Sequence, residues 1–218
     1  EGNLWFGSND GVRMYNGETG IHITEKEGLS NNDIYDIKQD ESGKLWFGTW
    51  GGGLSIFELG ELQKFAKNET LFNNTIYSIF KDKKGNVWIS TVEGLVKYDG
   101  NSFTLLTKKE GLMQNSVYQI FEDKNENLWI GSRSGLCKYD GRSFEYFTTD
   151  EGLISNNITA IYEDKIGNLW IGTFEGFCMY NGKYFTHFST NEDLMRNTIW
   201  SITEDSSGKI WFGNWTNG

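Results

Sequence analysis

The chain has 218 residues, 37% of them hydrophobic and 23% charged, and no apolar run near the ~18 residues a membrane-crossing helix needs. A net charge of −10 argues against nucleic acid, whose phosphates demand a basic face, and against an anionic membrane surface. Zero Pro beside 27 Gly and 16% aromatics suits a β protein whose glycines make turns, whose aromatics fill the space between sheets and whose backbone N–H groups join ladders.

From the N-terminus, the first phrase is Leu4-Trp5-Phe6-Gly7, which returns as Leu45-Trp46-Phe47-Gly48, Val87-Trp88-Ile89-Ser90, Leu128-Trp129-Ile130-Gly131, Leu169-Trp170-Ile171-Gly172 and Ile210-Trp211-Phe212-Gly213. The tryptophans are spaced by 41, 42, 41, 41 and 41 residues. A fixed period of this length marks a repeat architecture. The chain opens in mid-motif with no starting Met, as a slice of a longer protein would, so the lack of a leader leaves the compartment open.

Each repeat holds four strand candidates. In the third they are Ile76–Phe80, Asn86–Thr91, Leu95–Asp99 and Ser102–Leu106, separated by the turn sequences Asp82-Lys83-Lys84-Gly85-Asn86, Glu93-Gly94 and Asp99-Gly100. No sustained 3.6-residue apolar period is present, so helix content should be near nil. Apolar residues on consecutive positions, as in Ile161-Tyr162 and Leu169-Trp170-Ile171, fit strands packed on both faces. These features predict an all-β fold, a β-propeller of four-stranded antiparallel blades with about five blades, and residues 1–218 as one domain of five repeats. The chain supplies three strands of a first blade, four complete repeats and two strands of a sixth. Either Thr198–Thr203 completes the first blade, leaving a surplus strand open to exchange with a second chain in a homo-oligomer, or the ring is larger.

Chemistry is sparse. Cys137 and Cys178 occupy equivalent places in neighbouring repeats. Face-packed sheets lie ~10 Å apart, beyond the ~7 Å Cα limit of a disulfide, so two buried free thiols are expected. His22 and His187 both fall 17 residues after their repeat's Trp, in the outermost strand, where solvated edge positions are expected rather than a general base or metal site. Asp40, Asp82, Asp123, Asp164 and Asp205 stand six residues before each Trp and read as hairpin caps rather than calcium ligands. No nucleophile elbow, zinc signature or phosphate loop is present. We therefore expect no catalytic residue, metal or cofactor.

Binding residues should sit where the repeats differ. With the first strand innermost, the loop entering it and the loop between second and third strands share one end of the sheet. At four and five residues after each Trp stand Asn9-Asp10, Trp50-Gly51, Val92-Glu93, Arg133-Ser134, Phe174-Glu175 and Trp215-Thr216. Ordinary loop drift would also vary them, but exposed indoles such as Trp50 and Trp215 are costly unless they contact something. A recurring Asn, at 32, 74, 115, 156 and 197, reads as a loop brace. Three positions later come Tyr35, Tyr77, Tyr118, Thr159 and Trp200, which either line the mouth of a channel or pack between blades. The candidate ligand-binding set is Trp50, Trp215, Arg133, Phe174, Glu93, Glu175, Asn9, Asp10, Tyr35, Tyr77, Tyr118 and Trp200. Aromatic platforms beside amides and carboxylates suit sugars, while Arg133 could pair an acidic sugar or carboxylate. A protein-interaction surface at Trp50 and Trp215, and a fragment with no activity of its own, are the competing readings.

Three phrases, Asn168–Thr173, Gly94-Leu95 through Tyr98-Asp99-Gly100, and Gly152-Leu153 through Glu163-Asp164, resemble the two-component regulator propeller repeat over essentially the whole chain. Glu126 replaces a turn Gly, Ser90 replaces the Gly of the Trp phrase, and Phe57–Gly60 replaces Tyr-Asp-Gly. The resemblance implies an extracytoplasmic, periplasmic sensor region of a bacterial hybrid histidine kinase that answers to oligosaccharides, with seven repeats typical of one propeller. This segment itself is expected to make no direct membrane contact.

Overall fold

The hairpin turns are built by the repeating aspartates. One carboxylate oxygen of Asp82 accepts the N–H groups of Lys84 and Asn86 at 3.0 and 2.8 Å. The other accepts the Asn86 side-chain amide at 2.7 Å and the Trp88 indole N–H at 2.8 Å. Asp40, Asp123, Asp164 and Asp205 each accept their repeat's indole at 2.9 Å. The aspartates are therefore the expected hairpin caps, and they also anchor the tryptophan of the following strand. Gly85 occupies the turn with φ of 85°, and Glu126 holds the same left-handed position at 64°, which costs a residue with a Cβ.

The computed structural model describes residues 2–64, 75–188 and 198–214. These form antiparallel strands and, among the described residues, no helix. The first sheet contains β1 (Leu4–Ser8), β2 (Gly11–Tyr15) and β3 (Gly20–Ile23), and the second β4 (Ile34–Gln39), β5 (Leu45–Thr49), β6 (Gly53–Glu58) and β7 (Glu61–Lys64). The third holds β8 (Ile76–Lys81), β9 (Val87–Thr91), β10 (Leu95–Tyr98) and β11 (Phe103–Leu106). The fourth holds β12 (Val117–Glu122), β13 (Leu128–Ser132), β14 (Leu136–Tyr139) and β15 (Phe144–Phe147). The fifth holds β16 (Ile158–Glu163), β17 (Leu169–Thr173), β18 (Gly176–Tyr180) and β19 (Phe185–His187). The last pairs β20 (Ile199–Glu204) with β21 (Ile210–Asn214). Strands follow one another in simple up-and-down order, as blades of a β-propeller do.

The chain divides into two compact units, Glu1–Leu106 and Thr107–Gly218. Within each, neighbouring sheets meet at their first strands: β1 with β4 and β4 with β8 in the first unit, β12 with β16 and β16 with β20 in the second. The first strand of each sheet is thus the inner one. The recurring glycine of the Trp phrase sets the approach: a Cβ on Gly48 would lie 2.6 Å from Cγ2 of Ile76 on the adjacent sheet. Indoles fill the space outward of that contact. Trp5 packs on Phe47 and Phe57 with centroids 6.0 and 5.5 Å apart, Trp46 on Tyr98 at 5.2 Å, Trp129 on Tyr180 at 5.9 Å and Trp170 on Phe212 at 5.8 Å. Every one of these pairs joins two blades, so core burial is a property of neighbouring repeats rather than of one repeat alone.

Candidate functional site

The loop after each second strand has a constant frame. A hydroxyl at the strand's end donates back across the turn: Ser8 to the Gly11 carbonyl at 3.2 Å, Thr49 to Gly53 at 2.8 Å, Thr91 to Gly94 at 2.9 Å, Ser132 to Gly135 at 3.0 Å and Thr173 to Gly176 at 2.9 Å. The residues carried on this frame are the ones that vary. Sequence reasoning passed over these hydroxyls, although a Ser or Thr three residues after Trp recurs in the sequence.

The inner strands add a second device. Each pairs with its neighbour in a register that shifts by one residue near its start, between Ile34 and Asp36, Ile76 and Ser78, Val117 and Gln119, Ile158 and Ala160, and Ile199 and Ser201. The skipped residues are Tyr35, Tyr77, Tyr118, Thr159 and Trp200. A β-bulge leaves its extra residue unpaired and re-aims that side chain. The variable inner position is therefore a bulge position, at the same end of the sheet as the variable loop.

In the first unit the two devices converge. Trp50 and Tyr35 stack with centroids 5.2 Å apart and planes 29° from parallel, and Tyr77 meets both edge-on at 6.3 and 6.5 Å. Trp50 and Tyr35 remain 47% and 50% exposed, so the group forms an open aromatic surface rather than core. The Trp50 loop is one residue longer than its counterparts and runs through three glycines, with Gly51 and Gly53 at φ of 73° and 79°. The Trp50 N–H is held by the Asp33 carbonyl at 2.9 Å and that of Gly51 by the Thr75 hydroxyl at 3.1 Å. Beside Tyr35, the Asp36 carboxylate accepts the N–H of Ile79 on β8 at 2.6 Å and of Ile37 at 2.8 Å. Burial pushes this carboxyl above its ordinary value despite those bonds. Asp36 thereby ties the strand carrying Tyr35 to the strand carrying Tyr77.

In the second unit the same two positions meet with different chemistry. The Arg133 guanidinium lies 5.1 Å from the Tyr118 ring centroid. Phe174 and Trp200 stand 6.0 Å apart, and Trp200 is 49% exposed. Thr159 is the exception among the bulges: it is buried and donates its hydroxyl to the Ile199 carbonyl, which joins two blades.

The remaining candidates scatter. Glu93 and Glu175 are exposed, and their N–H groups are held by Thr91 and Thr173, each at 3.1 Å. Asn9 is exposed. Asp10 is engaged locally, accepting Arg13 at 3.1 Å and standing 3.6 Å from His22. Trp215 lies outside the described residues. Asn32, Asn115 and Asn156 accept the N–H groups of Glu25, Lys108 and Thr149 at 2.8, 2.9 and 2.9 Å, which makes them loop braces, while Asn74 and Asn197 lie outside the described residues.

The histidines are exposed on outer strands, as expected, and each also holds a loop. Nε2 of His22 sits 2.5 Å from the Asp10 carbonyl and Nε2 of His187 2.7 Å from that of Gly152, so each ties an outer strand to a loop. A surface cleft of about 580 Å³ lined by Asp10, His22, Thr24, Glu25, Lys26, Glu27 and Asn32 escaped the sequence reading. Its acids serve the loop itself: Glu27 accepts the Thr24 N–H and hydroxyl at 2.8 and 2.6 Å, and Glu25 accepts the Asn32 N–H at 3.2 Å. Among the described residues no three His, Cys, Asp or Glu side chains form a metal-holding cluster. Cys137 and Cys178 are buried free thiols, and burial pushes them up to about 12 and about 11.

A constant frame of repeated hairpins, carrying varied side chains at one end of its sheets, defines a repeat-built β-propeller. The chain belongs to the two component regulator propeller family, whose repeat matches residues 28–51, 70–93, 111–134, 152–175 and 193–216. No curated protein matches the chain. Among solved structures it is similar to the extracellular domain assigned to the hybrid two component system BT4673 of B. thetaiotaomicron, with 23% identity over 98% of this chain and a TM-score of 0.59. PorZ, a surface component of the type-IX secretion system of Porphyromonas gingivalis, is 18% identical over 99% of this chain and 37% of its own, with a TM-score of 0.73. Virginiamycin B lyase from Staphylococcus aureus is 14% identical over 99% of this chain and 75% of its own, with a TM-score of 0.70. The chain spans 36% of the hybrid-system domain. Three such different proteins share the fold, and the fold alone assigns no activity.

Proposed function

We propose that this chain is a ligand-binding part of an extracytoplasmic sensor region in a two-component signalling receptor, and that it recognises an oligosaccharide without turning it over. The observation that carries the reading is the open Tyr35–Trp50 stack, edged by Tyr77. Three large rings at a surface, framed by glycines and hydroxyls that hold the loop, give a platform on which the apolar face of a sugar ring can lie. The family, which is regulatory, supports the signalling half of the reading. The neighbouring extracellular domain of a hybrid system supports the extracytoplasmic placement. In such a receptor, bound saccharide acts by its differential affinity for the receptor's two states.

The test is a titration of the full chain with a panel of neutral and acidic oligosaccharides, followed by indole fluorescence and calorimetry. The variant Trp50→Ala should lose binding by at least ~10-fold, or about 1.4 kcal/mol, at unchanged melting temperature. Absence of any binding in the panel, or full affinity in the variant, would refute the saccharide reading. A variant that instead alters self-association would assign the surface to a protein partner.

A further inference from the structure

The second unit carries a platform in which a cation replaces the indole. Arg133 stands at the repeat position of Trp50, and Tyr118 at that of Tyr35. The pair keeps the same arrangement, loop residue over bulge residue, with the guanidinium 5.1 Å from the ring centroid. Its loop is fixed on both sides: the Ser134 N–H bonds to the Ser132 hydroxyl at 3.1 Å, and the Ser134 hydroxyl to Oε1 of Gln114 at 3.0 Å. Arg133 is exposed and enters no ion pair among the described residues, whereas Arg13 is bonded to Asp10 at 3.1 Å.

A cation–π contact leaves the N–H groups of a guanidinium available, and its planar fork matches the two oxygens of a carboxylate. Contact with the ring, together with the fixed loop, restricts the side chain before a ligand arrives, so less freedom is lost on binding. In a chain of net charge −10, long-range electrostatics disfavour anions. An anionic group is therefore accepted only where a local cation is held in place.

Building on the saccharide reading above, we infer that Arg133 and Tyr118 form a subsite for the carboxylate of an acidic sugar, which makes the second unit selective for uronate-type rather than neutral rings. The first unit's aromatic surface carries no such preference.

The discriminating experiment titrates the full chain and its Arg133→Gln and Arg133→Lys variants with trigalacturonate and with its methyl ester, whose rings are the same but uncharged. Wild type should bind the acid at least ~10-fold more tightly than the ester. Arg133→Gln should bind both alike, and Arg133→Lys should keep only part of the preference, since a point charge lacks the fork. The preference should shrink between 50 and 500 mM salt, over roughly the range in which the Debye length falls from above 10 Å to a few Å. Equal binding of acid and ester by wild type, or a preference that survives Arg133→Gln, would overturn the inference while leaving the saccharide reading standing. Succinate binding as tightly as trigalacturonate would overturn its sugar half. If neither trisaccharide nor any neutral oligosaccharide binds, the saccharide reading falls and the inference falls with it.

Discussion

The bond between Asp82 and Trp88 gives the sharpest test of how the repeat is held. Asp82 and Trp88 are 5% and 4% exposed, and the indole N–H reaches the carboxylate at 2.8 Å. Truncation in Asp82→Ala strands a buried indole N–H, at a cost of about 1–3 kcal/mol. It also frees the N–H groups of Lys84 and Asn86 in a turn that water reaches, adding roughly 0.5–1 kcal/mol for a lost cap. The expected loss is about 3 kcal/mol. A double-mutant cycle with Trp88→Phe isolates the pair, because the phenyl ring has no donor to strand and Asp82 keeps its bond from the Asn86 amide. The coupling should be about 1.5–3 kcal/mol, the range of a charge-assisted bond, read from guanidinium unfolding monitored by circular dichroism and indole fluorescence together. A coupling below roughly 0.5 kcal/mol would refute the argument, since the carboxylate would then be acting on the turn alone.

The turn at Glu126 should be improved by the residue its sister repeats use: Glu126→Gly relieves a left-handed φ of 64° and should stabilise by about 0.5–1 kcal/mol, measured as a shift of the denaturant midpoint. Acid should weaken the fold. Hydrogen bonds from Thr24, Thr107 and Thr148 hold Glu27, Glu110 and Glu151 below the usual range, and backbone N–H groups do the same for Asp99 and Asp140. A carboxyl depressed in the folded state contributes stability that is present above its unfolded value and lost as pH falls through the folded one, so melting temperature should drop below about pH 4. Asp36 has the opposite sign: burial raises it, so its contribution is lost as pH rises through its folded value, and Asp36→Asn should remove that part of the pH profile. Neither thiol should react with a chromogenic disulfide at pH 8 in the native state, and both should react in denaturant, because Cys137 and Cys178 are buried and pushed up to about 12 and about 11.

Much of this protein is legible without coordinates because its rules are local. An aspartate, a glycine and a tryptophan at fixed offsets specify a hairpin and the strand that follows it. The third repeat shows the result: strands expected at Ile76–Phe80 and Leu95–Asp99 appear as β8 and β10 within a residue of those bounds. The braces at Asn32, Asn115 and Asn156 were legible for the same reason, since each bonds a backbone group seven residues away. The exposed outer-strand placement of the histidines was legible, but their loop tethers were not, because the acceptors, Asp10 and Gly152, stand 12 and 35 residues distant.

What the sequence by itself determined was the blade: its length, its turns and the set of positions free to vary. Which of those positions face outward was decided only by tertiary structure. Tyr35 and Thr159 occupy the same place in the repeat, yet one stacks on Trp50 at the surface and the other is buried against the next blade's backbone. The ladder shifts alike at both places, so the difference arises from the contacts supplied by neighbouring loops and sheets. Those contacts join residues far apart in the chain, and no periodicity within one repeat encodes them.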